Sequence, residues 1–166
     1  MKQTGRYFSA FIDGKGKFAE LATVKEPDLK WVREGYAGGG MVGEVEPALI
    51  LEALKGEMTL YNYDQDAINI FGLVPGMPQP FQFRRELFDT RDQGSESVVI
   101  HMHASVDLEF PEWGRKSLEG VKLPLFIHTY RRFLNGVEQY HIDPEGMIFR
   151  VNGNDALVEA RRAIGR

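Results

Sequence analysis

Residues 98–110 constrain the fold more than any other part of the chain, because apolar and polar residues alternate along them. The apolar set is Ile100, Met102, Ala104, Val106, Leu108 and Phe110, and the polar set is His101, His103, Ser105, Asp107 and Glu109. Successive side chains of a β-strand point to opposite faces, so this pattern predicts a strand with one face on a core. A strand of this length with free edges pairs readily with another chain, which predicts assembly.

Most of the remaining chain also favours antiparallel strands. Asn135-Gly136 is typical of a tight primed turn and predicts a hairpin between residues 122–134 and 137–143. A second long hairpin is predicted between residues 44–54 and 57–63. Further strands are expected at residues 7–13, 18–24, 29–33, 82–89 and 147–151.

Two short helices complete the prediction. One covers residues 64–72, with Asp64 as its N-cap, and the other follows Asn154 or Asp155 and ends at Gly165. Pro75 lies beyond the first helix. The predicted fold class is mainly β, an antiparallel β-sandwich or partly open barrel with two short helices.

Composition limits the functional classes. The 166 residues suffice for one domain with a real core, and 43% hydrophobic with 27% charged residues is typical of a globular protein. No long apolar stretch or secretion signal is seen and cysteine is absent, so a cytoplasmic origin is expected. The net charge of −4 argues against tight DNA binding, although an acidic conduit would let DNA pass without sticking.

A histidine pair is the main candidate for chemistry. His101 and His103 share a strand face, about 7 Å apart, and Asp107 and Glu109 lie on the same predicted face. With Gly94 upstream, the pair resembles the first metal motif of cupins. The glycine-to-histidine spacing is one residue too long and the second motif is missing, so a solvated polar face is the simpler interpretation. A cupin-like metal enzyme stays the alternative.

The glycine and charge patterns leave other questions open. Gly38-Gly39-Gly40 is followed by a strand-like acidic segment and not by a helix, so a phosphate loop is not predicted. Such glycines allow a backbone to approach a neighbouring subunit closely. The acidic residues of the second hairpin form either a solvated face or a channel lining, and these are Glu44, Glu46, Glu52 and Glu57. Arg131-Arg132 and Arg161-Arg162 are expected to be salt-bridge partners.

Several short motifs, in order along the chain, carry a family resemblance. They are Phe11-Ile12-Asp13-Gly14, Gly38-Gly39-Gly40-Met41, Val45-Glu46, Tyr63-Asp64, Phe71-Gly72-Leu73, Tyr130-Arg131, Asn135-Gly136-Val137-Glu138, Ile142-Asp143 and Met147-Ile148-Phe149-Arg150-Val151-Asn152-Gly153. With this order and spacing the chain resembles the major tail tube protein family of contractile-tailed phages. Tubes of R-type pyocins and of type VI secretion systems are similar to that family in fold.

The resemblance implies a structural virion protein and no enzyme or cofactor. Residues 1–166 would form a single tail tube domain, assembled in the host cytoplasm into hexameric β-barrel rings that stack around a lumen for DNA passage. Implied partners are the tail sheath protein, the tape measure protein and a baseplate tube initiator. Subunit-interface candidates are Tyr36, Gly38, Gly39, Gly40 and Met41. Lumen-lining candidates are Glu44, Glu46, Glu52, Glu57, His101, His103, Asp107 and Glu109.

Overall fold

A computed structural model describes residues 3–72, 75–115 and 120–166. The described chain is mainly antiparallel β-structure. The strands are β1 (Gln3–Ile12), β2 (Lys15–Gly16), β3 (Leu21–Lys25), β4 (Trp31–Arg33), β5 (Ala48–Leu51), β6 (Lys55–Leu60), β7 (Gln79–Asp89), β8 (Ser95–Val106), β9 (Val121–Leu134), β10 (Val137–Asp143), β11 (Ile148–Val151) and β12 (Asn154–Asp155). The helices are α1 (Gln65–Ile70) and α2 (Val158–Ala163).

One large sheet organises the described residues. Its strand order is β12-β11-β10-β9-β8-β7-β1-β2, while β6 pairs with the first half of β9 and with β3. The second half of β9 pairs with β10 instead. One core is therefore surrounded by a curled sheet that does not close, with strands in the order β3, β6, β9, β8, β7 and β1. This arrangement is the predicted partly open barrel.

The core follows the predicted alternation of β8. Val98, Ile100, Met102, Ala104 and Val106 are buried, and they pack against buried residues of the other barrel strands. Those partners are Ala10, Ile12, Met58, Leu60, Phe81, Phe83, Val121, Leu123 and Leu125. The predicted length of this strand is wrong at its end.

The strand ends at Val106, four residues before Phe110. Phe110 is exposed and stacks on Tyr63 with ring centroids 6.4 Å apart, so it does not join the core. Beyond Val106 the ladder with β9 is reduced to the single bridge between Glu109 and Lys122, so the regular alternation of faces no longer places Phe110 on the core.

The turn at Asn135-Gly136 is confirmed. Both residues have positive φ angles, 50° and 80°, and they connect β9 to β10 as the primed turn predicts. The Asn135 side chain also accepts a hydrogen bond from the backbone N–H of Ser97 at 2.9 Å, which ties the turn to β8.

The predicted hairpin of residues 44–54 and 57–63 is wrong. Only Ala48–Leu51 forms a strand in its first arm, and that strand pairs with β4 in a separate two-stranded sheet. Its second arm is β6, which lies between β3 and β9 in the large sheet. Burial of Met58 and Leu60 in the barrel core stabilises that pairing, whereas all but the last residue of β5 is exposed.

The cap of α1 and the end of α2 are as predicted, but the N-cap predicted at Asn154 or Asp155 is wrong, because Leu157 is the N-cap of α2 and Asn154–Asp155 form β12. Asp64 caps α1 by accepting a hydrogen bond from the Ala67 N–H at 3.3 Å, and Gly165 follows α2 with a φ of 79°. Asp155 accepts from the N–H of Leu157, the N-cap of α2, at 3.0 Å. No residue of α2 is buried. Among the described residues no helix is long and apolar enough to cross a membrane.

Candidate interaction surfaces

The hairpin arm, defined as residues 29–52 and containing β4 and β5, projects from the barrel with two different faces. On its inner face, Trp31 contacts Phe149 of β11 with ring centroids 5.4 Å apart, and Leu51 is partly buried against the core. On its outer face, Val32 and Ile50 are paired across the two strands and both are exposed. An exposed apolar pair of this kind indicates a surface that another element covers.

The predicted interface residues lie at the tip of the hairpin arm. Tyr36 and Val45 exchange two backbone hydrogen bonds of 3.0 Å, and these bonds close the base of the tip loop. Inside it, the Met41 N–H donates to the Gly38 carbonyl at 3.1 Å. Gly40 has a φ of 89°, a conformation that favours glycine. Tyr36, Gly38, Gly39, Gly40 and Met41 are all exposed, so the structure brings this candidate group together.

The four predicted acidic residues do not share one surface. Glu44, Glu46 and Glu52 lie on the hairpin arm and are exposed. Glu57 lies on β6 of the large sheet, where a carboxylate oxygen is 3.9 Å from Lys122 Nζ. The separation follows from the wrong hairpin prediction, because β6 pairs with β9 and not with β5.

The histidine pair lies on the outer face of β8, as predicted. His103 Nδ1 is 3.2 Å from the Thr129 hydroxyl, and His101 stands opposite Arg131 of β9. Beyond the end of β8, Glu109 exchanges backbone hydrogen bonds with Lys122, and the Asp107 N–H donates to the Pro124 carbonyl. Within the described ranges no three His, Cys, Asp or Glu side chains are grouped to hold a metal ion.

The strand register creates a basic row that the sequence pattern missed. His101, Arg131, His141 and Arg150 stand opposite one another across β8, β9, β10 and β11. Burial and then the charge of Arg131 lower the pKa of both histidines. Burial alone would raise the pKa of Glu138, but the hydrogen bond from Arg131, 2.6 Å long, lowers it. Only the register identifies this row, since its members are far apart in sequence.

The two arginine pairs form salt bridges within the chain, as predicted. Arg131 pairs with Glu138 at 2.6 Å, and Arg132 pairs with Glu26 at 3.1 Å. Arg161 holds Asp155 at 2.7 Å, and this contact lowers the pKa of Asp155. The first pair joins β9 to β10, the second joins the segment after β3 to β9, and the third joins α2 to β12.

A groove of about 530 Å³ opens between β1 and β3, where the barrel does not close. We call it the slot. Phe8 and Ser9 of β1 form one wall, and residues 22–26 form the other. Val98 and Ile100 lie at its floor, and Arg84 and Arg85 also line it. The sequence offered no signal for the slot, because it depends on which strands remain unpaired.

The fold defines a structural class. A chain of an extracellular contractile injection system, from its PVC sheath–tube complex in the extended state, matches with a TM-score of 0.56 and 13% identity, covering 76% of this chain and 88% of that one. A chain of the sheath/tube terminator of such a system also matches with a TM-score of 0.56, at 12% identity, covering 76% and 93%. The fold is therefore that of contractile injection system proteins.

The sequence comparison places the chain in a family. Residues 3–165 match the family described as phage tail tube protein FII, and the chain belongs to that family. The tail tube protein of Escherichia phage P2 is 26% identical over 166 aligned positions, which cover 96% of this chain and 95% of that protein. The chain is a structural tail tube protein, and the cupin-like interpretation has no support.

Proposed function

We propose that six copies of this chain form a ring and that the rings stack into the inner tube of a contractile tail. The tube would serve as the conduit for DNA, and the chain would have no catalytic role. It would be assembled in the host cytoplasm and found in the tail of the virion.

The incomplete barrel is the observation that carries this proposal. Among the described strands β3 pairs only with β6. On its side away from β7, β1 pairs with β2 at Phe11 and Ile12 and accepts one more hydrogen bond, from the Lys17 N–H to the Ala10 carbonyl. Unpaired strand edges of one subunit are satisfied most simply by neighbouring copies, and a ring leaves no edge exposed. The exposed apolar outer face of the hairpin arm supports the same conclusion.

The proposed partners follow from the family and from the fold neighbours. Sheath subunits would surround the tube, since the two solved neighbours come from a sheath–tube complex and a sheath/tube terminator. The tape measure protein would occupy the lumen during assembly, and a baseplate initiator would nucleate the first ring.

Two groups of residues are candidates for the surface that lines the lumen. One group is the hairpin-arm acids Glu44, Glu46 and Glu52, from which Glu57 is separated on β6, and the other is the face of His101, His103, Asp107 and Glu109. The second face is adjacent to Arg131 and Arg150, whose charges are shared with the carboxylate of Glu138. The chain has no cysteine, so tubes can be assembled from His103→Cys and, separately, from Glu46→Cys variants. A bulky maleimide labels cysteines on the outer surface of a tube, and the position that is protected from labelling is the one in the lumen.

Negative-stain electron microscopy of the purified chain, over a range of concentration and salt, tests the proposed function. We expect rings or hollow tubes of uniform width. A chain that stays a small particle at high concentration, and also with its baseplate initiator present, would contradict the proposal.

A further inference from the structure

The slot between β1 and β3 is an unfinished part of the barrel interior. Phe8 lies on the same strand face as Ala10 and Ile12, as their register with β7 shows. Ala10 and Ile12 are buried, yet Phe8 is 41% exposed. An interior position that stays open in one subunit indicates that a segment from outside covers it.

The walls of the slot fit an extended apolar segment. The edges of β1 and β3 that face each other are not paired with one another in the described residues. The pocket-facing surface is mainly apolar and includes Phe8, Val24, Val98 and Ile100. Two open strand edges beside an apolar groove are the features that bind an added β-segment.

We propose that the slot receives the hairpin arm of a second copy, with the outer face of Val32 and Ile50 covering Phe8. This inference rests on the proposed function and specifies how neighbouring subunits join. Ile50 is 67% exposed, so its covering by the slot would remove a large apolar side chain from water. The outer edges of β4 and β5 are also free to pair with the slot edges.

Charge complementarity favours the same partner. The hairpin arm contains Glu34, Glu44, Glu46 and Glu52, and its only cations, Lys30 and Arg33, lie in the part before residue 34. The slot is lined by Lys25, Arg84 and Arg85, and also by Glu26, whose carboxylate is paired with Arg132. Neither Arg84 nor Arg85 forms a salt bridge with a described residue, and the guanidinium of Arg84 lies over the Phe11 ring. The acids of the hairpin arm therefore match Arg84 and Arg85, which pair with no described carboxylate, whereas Lys25 lies 3.8 Å from Asp28.

The arm of the same copy does not cover the slot, since Phe8, Val32 and Ile50 are all exposed within one subunit. The inner face of each arm is held by the Trp31–Phe149 contact next to β11. Strand β1, which forms one wall of the slot, lies five positions away from β11 in the strand order. Arm and slot are different surfaces of one subunit, so their contact is heterologous, and a repeated heterologous contact closes into a ring or extends as a filament.

A mixing experiment tests this pairing. Phe8→Asp places a charge in the slot, and Ile50→Asp places one on the arm. Each variant alone should lose rings and tubes, while an equimolar mixture should yield a heterodimer, because the intact slot of one variant accepts the intact arm of the other. Val137→Asp, at an exposed site outside both surfaces, is the matched control and should assemble like the original chain. Circular dichroism verifies folding.

A crosslinking experiment supplies the second measurement. In the cysteine-free chain, a Phe8→Cys/Ile50→Cys variant treated with a short bismaleimide should give a ladder of linked copies, whereas Phe8→Cys/Val137→Cys should give none above background. The inference would be overturned if either aspartate variant assembled alone, or if the double-cysteine variant formed tubes without giving a ladder. Neither result would contradict the proposed tube function. Failure of the original chain to assemble at all would count against the proposed function itself.

Discussion

The buried salt bridge of Lys17 offers a sharp test of what holds the helix α1 to the barrel. Lys17 is 6% exposed, and its Nζ lies 2.7 Å from Asp64 and 3.0 Å from Asp66. Burial would lower the pKa of Lys17, but the hydrogen bonds that its ammonium donates to Asp64 and Asp66 raise the pKa above its usual value. Lys17→Met retains the apolar stem of the side chain and leaves the largely buried Asp64 carboxylate without its cation.

The expected loss in the free energy of unfolding follows from the burial of this ion pair. Removal of one partner from a buried pair costs about 3–5 kcal/mol, and the more open Asp66 side reduces the expected loss for Lys17→Met to about 2–4 kcal/mol. Urea unfolding of the unassembled subunit at pH 7, followed by tryptophan fluorescence, measures the free energy of unfolding. The control is Lys15→Met, whose exposed pair with Asp66 should contribute at most about 0.5 kcal/mol.

A second variant separates charge from packing. Asp64→Asn keeps an N-cap oxygen for α1 but removes the buried negative charge, so Lys17→Met/Asp64→Asn should recover part of the stability lost by Lys17→Met alone. Equal losses for Lys17→Met and Lys15→Met, or no recovery in the double variant, would refute the reasoning.

Three further predictions concern the same unassembled subunit. Leu123→Ala removes a fully buried core side chain and should reduce the free energy of unfolding by about 3 kcal/mol in urea, while Val137→Ala, which is exposed, should change it little. Gly136→Ala forces a β-carbon into a φ of 80° and should lower the melting temperature by about 3 °C, whereas Gly94→Ala, where φ is not positive, should leave the melting temperature unchanged. Because burial and Arg131 lower the pKa of His101 and His141, the unfolded state binds protons more readily than the folded state between pH 7 and 5. The free energy of unfolding should therefore be highest above the usual histidine pKa of about 6.5 and fall as the pH drops below that value. The double variant His101→Gln/His141→Gln should lose less stability between pH 7.5 and pH 5 than the original chain. An equal loss in the two proteins would contradict this prediction.

The sequence determined the features that depend on neighbouring residues. The alternation of β8 follows from the two-residue period of a strand, and it predicted the burial of Ile100, Met102, Ala104 and Val106. The Asn135-Gly136 turn and the Asp64 cap are local as well, because positive φ angles and a side-chain cap are properties of the residues themselves. Family membership was also readable, since many short motifs along the chain keep their order.

The tertiary structure alone decided which strands pair and which edges remain open. A strand's own pattern specifies which face is apolar but not its neighbour, so β6 was assigned to β5 although its buried residues join β9 and β3. The burial of Lys17 depends on Asp64 and Asp66, far along the chain, and the row of His101, Arg131, His141 and Arg150 exists only through register. The slot arises because β1 and β3 lack a strand between them, a property of the whole sheet that no local segment encodes.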